Sequence, residues 1–97
     1  MEFKQLEMFV AVAEERSVIR AARRVFRTQP AVSMALAKLE QELGSPLFHR
    51  SRERGFQLTG VGEILHDYAK RMLALRDEAE KIVSSRSDQW VSAEPAC

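Results

Sequence analysis

Residues 28–44 read TQPAVSMALAKLEQELG, which contains a helix start, a helical period and a helix end. Thr28 is a preferred N-cap residue, Pro30 is tolerated in a first helical turn, and Gly44 is typical of a residue that ends a helix. Apolar side chains recur between them at intervals of three and four: Val32, Leu36, Leu39 and Leu43. The stretch therefore predicts one amphipathic helix, from about Thr28 to Leu43, with a single buried side.

Two further helices are predicted before this stretch. From about Phe3 to Glu15 the sequence has one apolar stripe: Leu6, Phe9, Val10 and Ala13. Ser17 can cap a short second helix that has the same apolar spacing: Val18, Ala21, Ala22 and Val25. We expect this second helix to carry four arginines: Arg20, Arg23, Arg24 and Arg27. The second and third helices together predict a helix-turn-helix.

A small hairpin is predicted after Gly44. Ser45 and Pro46 break the helical pattern, and the short runs 47–50 and 56–58 flank the polar segment SRERG at 51–55. Apolar side chains of this hairpin are expected to anchor it to the core: Phe48, Phe56 and Leu58. The hairpin 47–58 is a candidate wing.

A long helix is predicted to begin at the Thr59 cap and to run to about Ser85. Its apolar side chains alternate spacings of four and three, the heptad pattern of packed helices: Val61, Leu65, Tyr68, Met72, Leu75, Ala79 and Ile82. A chain of 97 residues supports one small core, so this helix needs a partner for its apolar side. We expect a homodimer with this interface: Leu65, Tyr68, Met72, Leu75, Ala79 and Ile82.

The predicted fold is therefore mainly α: a winged helix-turn-helix over 1–58, a linker and dimerisation helix over 59–87, and a polar, disordered tail over 88–97. The total charge of +1 conceals an uneven distribution. Residues 16–54 hold nine basic and three acidic side chains, whereas the rest of the chain holds six basic and eleven acidic ones. The middle of the chain is therefore expected to face a polyanion.

Several functional classes are disfavoured. The single cysteine, Cys97, excludes an internal disulfide, and no run of 18 apolar residues or leader segment occurs, so we expect a cytoplasmic protein that does not enter membranes. His49 and His66 have no neighbours at metal-ligand or catalytic spacing, and neither a metal nor a cofactor is implied. An enzyme is accordingly not expected.

The side of the 28–43 helix that faces away from its apolar stripe contains no acid. It holds Pro30, Met34, Ala37 and Gln41, with Ser33 and Lys38 at its edges. Small, amide, hydroxyl and basic side chains suit a helix in the major groove, where carboxylates would be repelled. Gln29 can present its amide to adenine, Ser33 can bond to most base edges, and Pro30 or Met34 can touch a thymine methyl.

Phosphate contacts are expected from the helix N-termini at Ser17 and Thr28 and from basic side chains. Arg50, Arg52 and Arg54 alternate along the hairpin, which predicts that they share one side and reach a minor groove or its phosphates. Simpler interpretations stay open. The outer side of the 28–43 helix can be plain surface, the arginines can be merely solvated or protect a sheet edge, and the long helix can dock a partner protein.

Four stretches of the sequence resemble the LysR-type transcriptional regulators over most of the chain: LEMFVAVAEERSV at 6–18, AARRV at 21–25, TQPAVSMALAKLEQELGSPLFHRS at 28–51 and GFQLTGVGE at 55–63. The resemblance implies sequence-specific binding of double-stranded DNA by a homodimer on a pseudo-palindromic site. Its third helix would lie in the major groove, and its linker helix would pair antiparallel with a second copy, with higher oligomers open.

Matched positions carry roles over from the family. Gln29, Pro30 and Ser33 would lie near bases, and Thr28 and Lys38 would contact the backbone or groove edge. Arg54 would be the wing arginine, and Ala21 and Ala22 the pair that lets two helices pack closely.

The sequence departs from the family at several places. Val18 stands where an aromatic residue is common, Met34 stands where a polar or basic reader is common, and the wing is one residue longer. A thioether offers apolar contact and no paired hydrogen bonds, so the base preference at Met34 is open. Members also continue into a two-lobed effector-binding domain, which we expect to be absent from this chain, so no small-molecule effector is inferred.

Overall fold

The computed structural model describes residues 1–86, and their elements follow the predicted order. They are α1 (Phe3–Glu15), α2 (Val18–Arg24), α3 (Gln29–Leu43), β1 (Phe48–Ser51), β2 (Gly55–Leu58) and α4 (Gly60–Ser85). This order confirms the winged helix-turn-helix followed by a long helix. The predictions for Cys97 and the 88–97 tail lie outside the described residues.

The residues predicted to cap the helices lie at the helix ends. The side chain of Ser17 accepts the N–H of Arg20 at 3.1 Å, and Thr28 accepts that of Ala31 at 3.2 Å. Thr59 does the same at the start of α4, and Gly44 ends α3 with a left-handed φ of 72°. Each cap satisfies a backbone group that the first or last helical turn leaves unpaired.

The core forms around α1, which packs on α2, α3 and α4. Its buried apolar members are Leu6, Met8, Phe9, Val10, Ala11, Val12, Ala21, Ala22, Val32, Leu36, Leu39, Leu47 and Ala69. Several predicted stripe residues are less buried than expected, among them Val18 and Val25, which are half-buried, and Val61, which is 45% exposed. Ala13 is only half-buried, and Leu43, in the last turn of α3, is 41% exposed, so the buried stripe of α3 ends at Leu39.

The second helix is shorter than predicted, because α2 ends at Arg24. Arg27 therefore lies in the turn between α2 and α3 and not on the helix. Phe26 in this turn has a left-handed φ of 57° and is 92% exposed.

The hairpin is antiparallel and packs on α1. Phe48 pairs with Leu58, and Arg50 pairs with Phe56. The Phe48 ring lies 5.4 Å from that of Phe9 and 5.7 Å from that of Phe56. These contacts confirm the predicted aromatic anchors.

The start of α4 is tied to the strand that precedes it. The Thr59 hydroxyl donates to the Pro46 carbonyl at 2.8 Å, and the Thr59 N–H donates to the Leu47 carbonyl at 3.0 Å. A side chain at Gly62 would collide with the same Leu47 carbonyl. Further along, Ala69 is fully buried, so the first half of α4 is part of the core.

Candidate nucleic-acid interface

The outer side of α3 presents the predicted base-contacting residues together. Val32, Leu36 and Leu39 face the core, whereas the predicted contact residues of α3 are exposed: Gln29, Pro30, Ser33, Met34 and Lys38. Met34 is 72% exposed. The side chains of this face do not pack in the core, so the face is accessible to a ligand.

The N-terminus of α3 offers polar groups beside this face. Because the Thr28 hydroxyl oxygen accepts the Ala31 N–H, its own hydrogen can still be donated to an anion. Pro30 has no N–H, so Gln29 supplies the free backbone donor of the first turn. Ser17 caps α2 in the same way and is half-buried.

Two of the three carboxylates in the basic segment 16–54 are paired with other parts of the chain. Glu40 accepts the Leu47 N–H at 2.6 Å and thereby helps to fix the connection between α3 and β1. Glu42 lies 3.7 Å from the N-terminal amine of Met1. Glu53 is exposed at the tip of the hairpin and is the acid nearest to the wing arginines in sequence.

The arginines of the α2 region divide into two groups. Arg24 donates to Glu14 at 2.7 Å and to Glu15 at 3.4 Å, and the hydrogen bond between Arg24 and Glu14 lowers the pKa of that carboxyl and raises the pKa of the guanidinium. Arg24 therefore holds α2 against α1. Within residues 1–86, Arg20, Arg23 and Arg27 are exposed and form no ion pair.

The prediction that Arg50, Arg52 and Arg54 share one side through strand alternation is wrong. Arg50 lies on the same sheet face as Phe48 because residues two apart share a face, and its guanidinium lies 5.0 Å from the centroid of the Phe56 ring. Arg52 and Arg54 lie in the turn, where strand alternation does not apply. All three side chains are exposed.

The Ser51 hydroxyl shapes this turn. It accepts the N–H groups of Glu53 at 3.2 Å and Arg54 at 3.3 Å. Sequence reasoning missed this contact, although Ser is a common residue at the start of such turns. These two hydrogen bonds therefore stabilise the turn that carries Arg52 and Arg54.

His66 is half-buried and packs edge-on to Phe9, with 6.3 Å between ring centroids. Its Nε2 lies 3.6 Å from a Glu14 carboxylate oxygen. In residues 1–86, no group of three or more His, Cys, Asp and Glu side chains is placed to hold a metal ion, and no helix is long and apolar enough to cross a membrane.

The apolar side chains of α4 fall into two groups, one packed against the core and one exposed. Leu65 and Met72 are half-buried against the core of their own chain, whereas Tyr68, Leu75 and Ile82 are exposed, as is Ala79. Ile64, which is 62% exposed beside them, is not part of the predicted heptad pattern. Its i+4 spacing to Tyr68 is the signal that would have found it.

These features define the class of protein. A helix-turn-helix, a two-stranded basic wing and an acid-free exposed face on the third helix make up a winged helix-turn-helix domain of the DNA-binding kind. The family model for "Bacterial regulatory helix-turn-helix protein, lysR family" matches residues 3–63. The chain belongs to this family, as the sequence resemblance indicated.

Similar proteins are regulators of transcription. The HTH-type transcriptional regulator BudR of Klebsiella aerogenes is 46% identical over 79 residues, which cover 81% of this chain and 54% of BudR. TfdS of Cupriavidus pinatubonensis is 52% identical over 75 residues, 77% of this chain and 25% of TfdS. The chain thus spans about half of BudR and a quarter of TfdS. These relatives are regulators and not enzymes, in agreement with the prediction.

Solved structures share the fold. The CbnR DBD-DNA complex has a TM-score of 0.82 and 36% identity, and covers 90% of this chain and 99% of that one. The BenM DBD/catB site 1 DNA complex has a TM-score of 0.85 and 33% identity, with 90% and 96% covered. The winged helix-turn-helix fold is thereby confirmed.

Proposed function

We propose that this chain binds double-stranded DNA in a sequence-specific manner, as a homodimer on a pseudo-palindromic site, to regulate transcription. The observation that carries the proposal is the outer face of α3, where exposed amide, hydroxyl and basic groups occur without a carboxylate. An α-helix fits the major groove, and such a face can approach base edges without repulsion. Support also comes from the two similar structures, both of which are complexes with DNA.

The proposal divides the contacts by position. Gln29, Pro30, Ser33 and Met34 lie near bases, because they are exposed residues of the first turns of α3. Phosphates and groove edges are contacted by the remaining residues of the interface: Ser17, Thr28, Lys38, Arg50, Arg52 and Arg54. Phosphate contacts set position and affinity, while base contacts set sequence preference.

Dimerisation is proposed through α4, with residues 1–58 as the DNA-binding part and 59–87 as the linker and dimerisation helix. Tyr68, Leu75 and Ile82 are 53%, 62% and 51% exposed, and apolar side chains at helical spacing favour burial against a second helix. Pairing of two copies would fix the distance between two α3 helices. Half-site spacing would then follow from the dimer.

A DNA-binding regulator works in the compartment that holds the DNA, which is the cytoplasm in a bacterium.

Selection from a random duplex pool, followed by binding titrations at rising salt, tests the proposal. We expect a consensus with two related half-sites and an affinity that falls linearly with the logarithm of salt concentration, because bound phosphates release counterions. Sedimentation of the protein–DNA complex should give two chains per duplex. A preference for no sequence, or a single half-site with one chain, would contradict it.

The second candidate is a protein-interaction module that docks a partner helix on the exposed side of α4. The exposed Ile64, Tyr68 and Leu75 favour it. Such a module would bind no duplex even at low salt, so the same titration separates the two functions.

A further inference from the structure

An apolar line runs along the middle of the outer face of α3. At about 100° per residue, Met34 lies about 40° from Pro30 on one side and Ala37 lies about 20° from it on the other. All three are exposed, and Met34 is 72% exposed. Within residues 1–86 no side chain covers Met34, and it belongs to no part of the core.

The groups around this line point to its ligand. Ser33 and Lys38 flank Met34 around the helix, and Gln29 precedes it by five residues, so exposed polar and basic side chains lie to either side of the apolar line. A protein partner with an apolar surface would leave these groups unpaired. A major groove would satisfy them, and it would desolvate Met34 at the same time.

The major groove exposes one kind of apolar group, the C5 methyl of thymine. Met34 has no donor and only a weak acceptor, so it cannot form the paired hydrogen bonds by which arginine or glutamine reads a base. Its unbranched and flexible side chain can, however, fit closely around a methyl group. Apolar contact with the C5 methyl is therefore the recognition that its chemistry allows.

We propose that Met34 selects a C5-methylated pyrimidine at one position of each half-site, a specificity that rests on the proposed function. The C5 methyl of thymine and that of 5-methylcytosine present the same chemistry to the thioether. Removal of this methyl should weaken binding about fourfold, the factor that corresponds to the burial of one methyl-sized group.

The test uses the whole chain and the duplex obtained by selection. Each thymine is replaced in turn by deoxyuridine, which removes only the C5 methyl, and affinity is measured by fluorescence anisotropy. We expect one position per half-site at which the wild-type protein loses about fourfold. Met34→Gln should bring that ratio close to one, and Met34→Leu, which stays apolar, should retain most of it.

Leu43→Gln is the matched control. It makes the same apolar-to-amide change on α3, at a residue that is 41% exposed and lies outside the apolar line. This variant should keep the full loss on methyl removal. Circular dichroism and thermal unfolding of each variant check that the fold is retained.

A further arm separates the two methylated bases. At the sensitive position, a cytosine–guanine pair is compared with a 5-methylcytosine–guanine pair, and the methylated pair should bind about fourfold more tightly. No gain there would mean that the C5 methyl is not recognised independently of the thymine base, which overturns the proposal.

Other outcomes are equally decisive. An unchanged deoxyuridine penalty in Met34→Gln would assign the methyl contact to another residue, and a selected site without any sensitive thymine would also overturn the inference. Both results leave salt-dependent DNA binding intact. Failure of the wild-type protein to bind any duplex would instead overturn the proposed function itself.

Discussion

Gly55 lies where the wing meets the end of α1. Its φ is 70°, a left-handed conformation that side chains rarely adopt. A Cβ at this position would collide with the Arg16 carbonyl oxygen, to which the next residue, Phe56, donates its N–H at 3.1 Å. Glycine is required here by both conformation and space.

Gly55→Ala should destabilise the fold by about 1–3 kcal/mol, because the left-handed backbone is strained and the wing must move away from Arg16. The measurement is the free energy of unfolding in urea. Gly60→Ala is the matched control, since a Cβ there meets nothing within 4 Å and its φ is not positive. Equal losses in the two variants would contradict the role given to Gly55.

Gln29 and Arg54 are proposed to have different kinds of contact. Gln29→Ala should relax sequence preference at one position, at a cost of about 1–3 kcal/mol for the preferred base. Arg54→Ala should weaken binding to all duplexes alike and reduce the salt slope by about one. Repeated selection and salt titration measure these effects. An unchanged consensus with Gln29→Ala would show that Gln29 reads no base.

At the scale of elements, one carboxylate joins three helices. Glu14 on α1 lies 2.7 Å from Arg24 of α2, 3.6 Å from His66 and 3.9 Å from Lys70 of α4. The hydrogen bond from Arg24 lowers the pKa of Glu14, and the positive charges nearby add to this effect. The carboxylate form is therefore favoured by the folded state.

This cluster predicts a pH dependence. Because the folded-state pKa of Glu14 is lowered, its contribution to stability is complete above the pKa of the unfolded chain and is lost as pH falls through the folded-state value. Glu14→Gln should lower the thermal midpoint at neutral pH and reduce the fall in stability below about pH 4. Glu80→Gln, at an exposed residue without an ion pair among residues 1–86, should retain the wild-type profile. Parallel acid profiles for all three proteins would contradict the role of Glu14.

At the scale of the whole molecule, α4 makes the structure elongated. The extents are 59 × 24 × 20 Å, and α4 alone has 26 residues, about 39 Å of helix. All residues from Asp77 to Arg86 are exposed, so the second half of α4 extends past the core. Exposed apolar side chains continue onto this half, which is the basis for the proposed dimer.

Leu75→Glu should convert the proposed dimer to a monomer without unfolding it, because Leu75 is 62% exposed and outside the core. Loss of two-site binding should weaken affinity for the full DNA site about a hundredfold or more. Ala74→Glu adds the same charge at the neighbouring exposed residue, on another side of α4, and should remain dimeric. Sedimentation equilibrium and DNA titration measure both effects. A dimer that survives Leu75→Glu would contradict this interface.

The elements of this protein could be predicted from local patterns. Ser17, Thr28 and Thr59 cap helices through contacts with residues three positions away, and the helical spacing of apolar residues also repeats over a few positions. Such short-range patterns can be read directly from the sequence. The candidate site on α3 could be predicted from the helical period, because its residues all lie on one continuous helix, and the family motifs added the roles proposed for them.

Contacts between elements could not be predicted in this way. Arg24 is ten residues from Glu14, and Arg76 is 69 residues from Glu7, to which it donates at 3.2 Å. Only the packing of α1 against α2 and α4 shows that these charges are paired. The division of the α4 stripe, with Met72 against the core and Leu75 exposed, has the same physical reason: burial depends on which neighbours the fold brings to each side of a helix.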